Sequence, residues 1–186
     1  MRFACELADI LRSTPPLVTR PMAVHANVNL LQGFYNAFNA RDGAAMATAY
    51  TADATFTDPV FVGLSGPEIG AMWQMLCARG ADLRVKVSDI DADAFEGTAH
   101  WEAWYTFSKT GRPVHNVVDA QFEFRDGRIA VHRDRFGFWR WSRQALGLSG
   151  MLLGWTPIVQ GGVRKQARAG LAKFIAQKAA EQSPRH

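Results

Sequence analysis

The chain has 186 residues and a mass of 20.6 kDa; 48% of its residues are hydrophobic, 20% are charged, and the formal net charge is +4. This length suffices for one hydrophobic core and is short for two, and the composition excludes intrinsically disordered, collagen-like and coiled-coil proteins. No run approaches the roughly 20 apolar residues of a membrane span, and two cysteines are too few for a disulfide framework.

Residues 1–11 also lack the apolar centre of a signal peptide, so we expect a single-domain protein of the cytoplasm. The positive charge is unevenly distributed along the chain. Residues 1–124 hold 9 Lys and Arg against 14 Asp and Glu, a net charge of −5, whereas residues 125–186 hold 12 against 3, a net charge of +9. A basic C-terminal third of this kind faces a nucleic acid, an anionic membrane surface or water.

The first elements are helical. Residues 1–22 contain three prolines and little periodicity, which predicts a flexible leader. Apolar residues then recur at helical spacing over 24–38 and predict a first helix, and an alanine-rich second helix is predicted over 44–50. A short strand is predicted over 54–57, and Asp58-Pro59 ends it because proline cannot donate to a sheet ladder.

A third helix and a sheet follow. Ser65 and Glu68 have the spacing of a capping box, which predicts the start of a helix that ends at Gly80. Beyond Gly80 the apolar period changes from helical to alternating. Strands are predicted over 83–87, 99–107, 114–124 and 129–138, with Asp126-Gly127 as a tight hairpin turn. Three helices followed by an antiparallel sheet predict an α+β domain.

The C-terminal residues predict a basic helical extension over 141–186. Its apolar stripe consists of Val163, Ala167, Leu171, Phe174 and Ile175, with Lys and Arg at the remaining positions. We favour packing of this stripe on the domain or on a second subunit. Association with an anionic membrane surface is the less favoured alternative, and nucleic-acid binding is not expected because no recognition motif accompanies the basic residues.

Three segments resemble the nuclear transport factor 2-like superfamily: 34–43 (FYNAFNARDG), 50–60 (YTADATFTDPV) and 122–129 (FEFRDGRI). This superfamily includes ketosteroid isomerase, the SnoaL-like polyketide cyclases and limonene epoxide hydrolase. The resemblance implies a domain over 23–140, in which a cone-shaped, curved antiparallel sheet packs against three N-terminal helices, with the helical tail as an addition. It further implies a homodimer and no cofactor.

Asp58 is the first candidate catalytic residue, because Asp58-Pro59-Val60 matches the context of the general base in ketosteroid isomerase. Desolvation at the mouth of an apolar cone raises the pKa of a carboxyl group, which suits proton abstraction near neutral pH. The alternative is that Asp-Pro simply opens a turn. Two positions depart from the isomerase pattern. The resemblance implies a tyrosine at position 34, where this chain has Phe34 with Tyr35 next to it, and a second carboxylic acid at position 120, where it has Ala120. Steroid-type isomerisation is therefore disfavoured.

The last strand offers a second group of residues. Alternation places His132, Asp134 and Phe136 on one face and Arg133 and Arg135 on the other, so we expect the first three to face the pocket. Residues two apart on a strand lie roughly 6.5–7 Å apart, which lets both polar side chains reach one ligand or water without a direct hydrogen bond between them. The resemblance to the SnoaL-like group implies an acid/base role for such strand residues, and the alternative is a buried structural pair.

The remaining predicted pocket residues are mostly aromatic, as expected for a hydrophobic ligand. They are Phe34, Tyr35, Trp73, Trp101, Asn116, Phe122 and Phe136. Asp58, His132 and Asp134 are the predicted catalytic residues, and no metal site is predicted. The sequence thus favours a small-molecule-binding cone with cofactor-free isomerase, cyclase, lyase or hydrolase chemistry. The alternative is a non-catalytic binding or interaction module.

Overall fold

The computed structural model describes residues 25–182, so the predicted leader over 1–22 lies outside the described residues. The first helix, α1, spans Ala26–Asn39. It begins where the His25 Nδ1 atom accepts the backbone N–H of Asn27 at 3.2 Å, satisfying a donor that the first helical turn leaves free. The predicted helical spacing is confirmed, because Leu31, Phe34 and Phe38 are all buried.

The second helix, α2, spans Gly43–Thr48 and is capped by Asp42, whose Oδ1 accepts the N–H of Ala45 at 2.9 Å. Gly43 allows α2 to lie directly against a later helix, because a Cβ at this position would sit 2.5 Å from the backbone Cα of Gln74. The Asp-Gly pair therefore serves as the N-cap and the contact point of α2.

The first strand, β1, spans Tyr50–Thr57, and β2 spans Leu64–Ser65. The predictions of a helix over 44–50 and of a strand only over 54–57 are wrong at this boundary. Tyr50 is paired with Ile129 of a distant strand, and the Ile129 N–H donates to the Ala49 carbonyl at 2.9 Å. A long-range pairing of this kind overrides the local preference of alanine for helix.

The third helix, α3, spans Pro67–Arg79, and Gly80 follows its end as predicted. The predicted capping box is only half formed. The Glu68 carboxylate accepts the Ser65 N–H at 3.3 Å, but the N-cap residue is Gly66, which has a φ of 49° and no side-chain cap. A left-handed φ of this kind favours glycine.

Four strands complete the sheet. They are β3 (Arg84–Ala92), β4 (Glu96–Phe107), β5 (Arg112–Arg125) and β6 (Arg128–Arg135). The six-stranded sheet has the order β2-β1-β6-β5-β4-β3 and is not closed. Asp126 and Gly127, with φ of 53° and 68°, form the predicted turn between β5 and β6. The α+β class is confirmed.

One pairing in this sheet differs from the antiparallel arrangement that the sequence predicts. β1 runs parallel to β6, whereas every other neighbouring pair is antiparallel. The reason is the connection: β3 to β6 follow one another through short turns, but β1 is separated from β6 by α3 and four strands. No hairpin constrains its direction.

The inner face of the sheet packs against α1 and α3. On β5 the buried residues Val118, Ala120, Phe122 and Phe124 alternate with exposed ones, as the period of two predicts. The β3–β4 ladder and the β5–β6 ladder each contain a register shift. Such bulges bend a strand and increase its twist, which helps the sheet to curve around the helices.

Three helices follow the sheet: α4 (Phe138–Leu146), α5 (Leu148–Leu153) and α6 (Pro157–Gln182). β6 ends at Arg135, short of the predicted Phe138, because the chain turns into α4 there. No helix among the described residues is long and apolar enough to cross a membrane.

The apolar stripe of α6 packs on the domain, as favoured from the sequence. Leu171 is 2% exposed within the main core, and Ala167 and Phe174 pack against that core. Arg164 Nε donates to the Pro59 carbonyl at 2.9 Å, and Arg168 donates to the Val62 carbonyl at 2.7 Å. Two of the basic residues thus bind the loop between β1 and β2.

We expect Leu171→Ala to destabilise the protein by about 2–5 kcal/mol, because it leaves a cavity where α6 joins the core. Chemical denaturation followed by circular dichroism measures this loss. The matched control is Ile175→Ala on the same helix, where the side chain is 37% exposed and the loss should be much smaller. Equal losses for the two variants would contradict the packing of α6 described above.

Candidate active site

A cavity of about 300 Å³ lies between α3, the inner face of the sheet and α6. Its walls are mainly aromatic and aliphatic. Two carboxylates, Asp58 and Asp134, line it. Val163, Ala167 and Gly170 of α6 contribute to one side, so the C-terminal extension forms part of the cavity.

Asp58 follows the last residue of β1 and is half-buried. Its Oδ1 accepts the backbone N–H groups of Val60, at 2.6 Å, and Phe61, and its own N–H donates to the Phe61 carbonyl at 2.8 Å. Asp58 therefore opens a turn, as one of the two sequence-based interpretations holds, and it also lines the cavity. With Oδ1 held by the turn, Oδ2 is the oxygen available to a ligand.

Burial raises the pKa of Asp58 from its ordinary value near 3.8 to about 7. The negative charge of Asp134 contributes to this rise, whereas the two backbone N–H groups and the Arg164 guanidinium oppose it. The Asp58 carboxyl group is consequently present in both protonation states near neutral pH.

Asp134 belongs to a buried chain of hydrogen bonds that crosses the sheet. The expectation that His132 and Asp134 make no direct hydrogen bond is wrong, because the His132 Nε2 atom lies 3.0 Å from Asp134 Oδ1. His132 Nδ1 lies 2.7 Å from the Tyr50 hydroxyl oxygen. The Trp73 Nε1–H group donates to that same hydroxyl oxygen at 3.0 Å, and the Trp101 Nε1–H group donates to Asp134 Oδ1 at 3.4 Å. His132 is 1% exposed and Asp134 5% exposed.

Only one direction of donation satisfies every group in this chain. If the Asp134 carboxylate accepts the Nε2–H of His132, then Nδ1 is free to accept the Tyr50 O–H, and Tyr50 oxygen accepts from Trp73. If His132 instead donated from Nδ1, the hydroxyl proton of buried Tyr50 would have no acceptor in this chain. The geometry thus assigns the Nε2–H tautomer to His132, with Asp134 Oδ1 as the acceptor. Both hydrogen bonds to Asp134 end on Oδ1, so Oδ2 is the oxygen available to the cavity.

The predicted site residues fall into two groups. Six of them line the cavity: Asp58, Asp134, Trp73, Trp101, Asn116 and Phe136. The other four, Phe34, Tyr35, Phe122 and His132, do not line it, and two of them, Phe34 and Phe122, contact the His132 ring. The ring centroids of Phe34 and Phe122 lie 5.9 and 4.3 Å from that of His132. The Tyr35 hydroxyl, also buried, has no hydrogen-bond partner among the described residues.

Two tyrosines at the site were not predicted. Tyr50 was missed because the local sequence there predicted helix, and only its pairing with β6 places it beside His132. Tyr105 lines the cavity, and its hydroxyl oxygen accepts the Trp141 Nε1–H at 2.9 Å. Burial raises the pKa of Tyr105 to about 12, so the hydroxyl keeps its proton. Tyr105 shares the inward parity of Trp101, which was the available sequence signal.

Two basic side chains lie at the rim of the cavity. Arg79 at the end of α3 and Lys109 after β4 both line it and are exposed. Neither belongs to an ion pair within residues 25–182. Partial burial and the nearby Arg79 charge lower the pKa of Lys109. The cavity is therefore acidic inside and basic at its rim.

Comparison with known proteins gives one family and a consistent fold. Residues 31–132 match the SnoaL-like domain. A search of curated proteins finds no match.

Among solved structures, an LEH-like epoxide hydrolase from M. tuberculosis is similar at 21% identity, with 69% of this chain and 96% of that chain covered and a TM-score of 0.55. A protein with a ketosteroid isomerase-like fold from Catenulispora acidiphila, solved with trimethylamine, is similar at 18% identity, 69% and 97% coverage and a TM-score of 0.57. IdmH, a candidate polyketide cyclase from Streptomyces antibioticus, is similar at 24% identity, 67% and 100% coverage and a TM-score of 0.54. At these identities the likeness shows the fold.

Asp58→Asn should stabilise the protein increasingly as the pH rises. The folded-state pKa of about 7 lies above the ordinary value near 3.8, so folding favours the protonated carboxyl group, and wild-type stability falls between about pH 4 and pH 7. Asparagine keeps the Oδ1 acceptor without titrating. The difference in the free energy of unfolding between the variant and the wild type should grow by at most about 4 kcal/mol over this pH range. Urea denaturation at several pH values measures it. The control, exposed Asp53→Asn, has a lowered pKa and should show no such gain.

Asp134→Asn should lower the pKa of Asp58, because it removes the negative charge that shares the cavity. Asparagine Oδ1 can still accept from His132 and Trp101, which preserves the fold. Carboxyl ¹³C NMR titration of Asp58 measures the midpoint in both proteins. An unchanged midpoint would show that the two carboxylates do not interact.

Proposed function

This chain belongs to the SnoaL-like domain family, and we propose that it is a cofactor-free acid/base enzyme that moves a proton on a small hydrophobic substrate. The observation that carries the proposal is the pair of carboxylates, Asp58 and Asp134, which line one largely apolar cavity. Their surroundings differ, since burial shifts the pKa of Asp58 towards neutrality whereas His132 and Trp101 donate to Asp134. Pairs of this kind divide acid/base roles between them.

Asp58 is the general base in this proposal. A carboxylate with a pKa of about 7 is ionised in half of the molecules at neutral pH, and it returns a proton as readily as it accepts one. Its Oδ2 atom takes the proton from a carbon beside a substrate carbonyl. The electrons of the broken C–H bond move to the carbonyl oxygen and form an enolate. Asp58 then returns the proton to another carbon, or to the alkoxide that ring closure produces, so no co-reactant is consumed.

Tyr105 and Asn116 stabilise the enolate oxygen in this proposal. The Tyr105 oxygen already accepts from Trp141, which leaves its O–H free to donate into the cavity. The Asn116 side-chain amide lines the same cavity and adds a second donor. Donors fixed in a largely apolar site stabilise a developing negative charge more strongly than they would in water.

Asp134 and His132 orient the site. Asp134 Oδ2 accepts a hydrogen bond from a substrate hydroxyl, and the charge of Asp134 helps to keep the pKa of Asp58 near neutrality. His132 does not line the cavity, so its role is to position Asp134 through the 3.0 Å contact. The rim cations Arg79 and Lys109 favour a substrate that carries a carboxylate at its outer end.

We expect the purified protein to exchange protons on such a substrate. A panel of hydrophobic keto acids, each as the free carboxylic acid and as its methyl ester, is incubated with the protein in D₂O. Mass spectrometry follows deuterium uptake at the carbon beside the ketone carbonyl. Uptake should increase with pH through about 7, because the base must be ionised. Asp58→Asn should slow it by about 10²–10⁴-fold, the usual contribution of a general base.

The exposed Asp53→Asn serves as the matched control and should retain full exchange. Free acids should exchange faster than their esters, and Arg79→Gln should remove that preference without removing exchange. If ketones bind, as calorimetry would show, but take up no deuterium, the protein is the non-catalytic binding module instead. Unchanged uptake in Asp58→Asn would exclude Asp58 as the base.

We also propose a homodimer formed through the outer face of the sheet and a location in the cytoplasm. On that face the His115 ring stacks on Trp104 with centroids 4.7 Å apart, and His115 Nε2 lies 2.6 Å from Glu102. Trp104 is 38% exposed, so an apolar surface is available there to a second subunit.

A further inference from the structure

The segment around α5 exposes an unusual amount of apolar surface. Its members, called here the apolar patch, are Leu148, Met151, Leu152, Leu153, Trp155 and Ile158, with exposures of 73, 42, 64, 53, 67 and 86%. They fall within eleven consecutive residues of the chain. A clustered patch of large apolar side chains marks a surface that meets another apolar phase or molecule.

The backbone beneath the patch is firmly packed, so the exposure is built into the fold. α5 lies against α4 through two glycines: a Cβ on Gly150 would sit 1.9 Å from the Ser142 carbonyl oxygen, and one on Gly154 would sit 2.0 Å from Ser142 Oγ. The Trp139 Nε1–H also donates to the Met151 carbonyl at 3.2 Å. α4 in turn buries Trp141 and Ala145. The packing of α5 against α4 therefore keeps the side chains of the apolar patch exposed to solvent.

The apolar patch is separate from the cavity. α6 lines the cavity with residues from Val163 to Gly170, and α4 with Trp141. No residue of the patch lines it. The patch accordingly needs an explanation other than substrate binding.

The residues around the apolar patch are basic, which indicates the kind of partner that the patch binds. From Arg135 to Ala180 the chain contains eight Lys and Arg residues and no Asp or Glu. Arg140, Arg143 and Lys165 are exposed on the helices that flank the patch, and the Arg143 guanidinium lies 5.0 Å from the Trp139 ring centroid. Large apolar and tryptophan side chains bordered by cations are suited to the headgroup region of an anionic bilayer.

A second copy of the chain is a poorer partner for this surface. A symmetric dimer would bring the same patch of both copies together, and with it two sets of cations that have no intervening acidic residue. An anionic lipid surface neutralises those cations and accepts the apolar side chains. We propose that the apolar patch inserts into the interface of an anionic membrane, with the cations of α4 and α6 against the lipid headgroups.

Vesicle sedimentation with the full chain tests this proposal. We expect binding to phosphatidylcholine vesicles that contain 30% phosphatidylglycerol and much weaker binding to phosphatidylcholine alone, with high salt reducing the difference. The double variant Trp155→Ser, Ile158→Ser should bind at least about tenfold more weakly, because two deeply inserting side chains are lost. The matched control is Phe95→Ser, which removes an apolar side chain that is 74% exposed in the turn between β3 and β4 and should leave binding unchanged.

Three outcomes would overturn the proposal. One is the absence of binding to either vesicle, and another is equal binding to the neutral and the anionic vesicles. The third is self-association in sedimentation equilibrium that the double variant abolishes, since the patch would then join two copies of this chain. Circular dichroism of the double variant shows that a loss of binding does not come from unfolding.

Discussion

The parallel contact between β1 and β6 is the constraint on which the candidate site depends. It brings Tyr50, at the start of β1, next to β6, where the Tyr50 hydroxyl contacts His132. His132 in turn contacts Asp134, so β1 is connected to Asp134 by hydrogen bonds. Trp73 from α3 closes the same chain of hydrogen bonds. Because every donor in it has an acceptor, this polar chain is tolerated inside an aromatic core. Asp134 is consequently held in one orientation beside the cavity.

The two carboxyl groups of the cavity, Asp58 and Asp134, have different electrostatic surroundings although they line the same largely apolar space. Asp134 lies where indole and imidazole N–H groups donate to it, whereas Asp58 accepts the N–H groups of its own turn and lies in the fields of Asp134 and Arg164. Desolvation is the larger influence on Asp58 and places its pKa near neutrality. The same desolvation costs folding stability whenever Asp58 is ionised, so a group suited to proton transfer is also a local source of instability.

The positive charge of the C-terminal third has more than one role in the structure. Arg164 and Arg168 bind carbonyl groups of the β1–β2 loop, and Arg164 also lowers the pKa of nearby Asp58. α6 is therefore part of the site, both as a wall and as an electrostatic influence. The cations beside the apolar patch point outwards instead. The net charge of +9 over residues 125–186 is thus divided between an internal contact and a surface.

The sequence by itself determined the α+β class, the helical and alternating apolar faces, the Asp-Gly turns and the superfamily, because these follow from local periodicity, backbone preferences and short motifs. It also indicated Asp58 and Asp134 as residues of the cavity, since Asp58 lies in an Asp-Pro-Val context that matches ketosteroid isomerase and Asp134 has inward parity. Only the tertiary structure decided that β1 runs parallel to β6, that Tyr50 joins the site, and that His132 lies behind Asp134. Each of these depends on contacts between residues far apart in the chain, which local sequence does not encode.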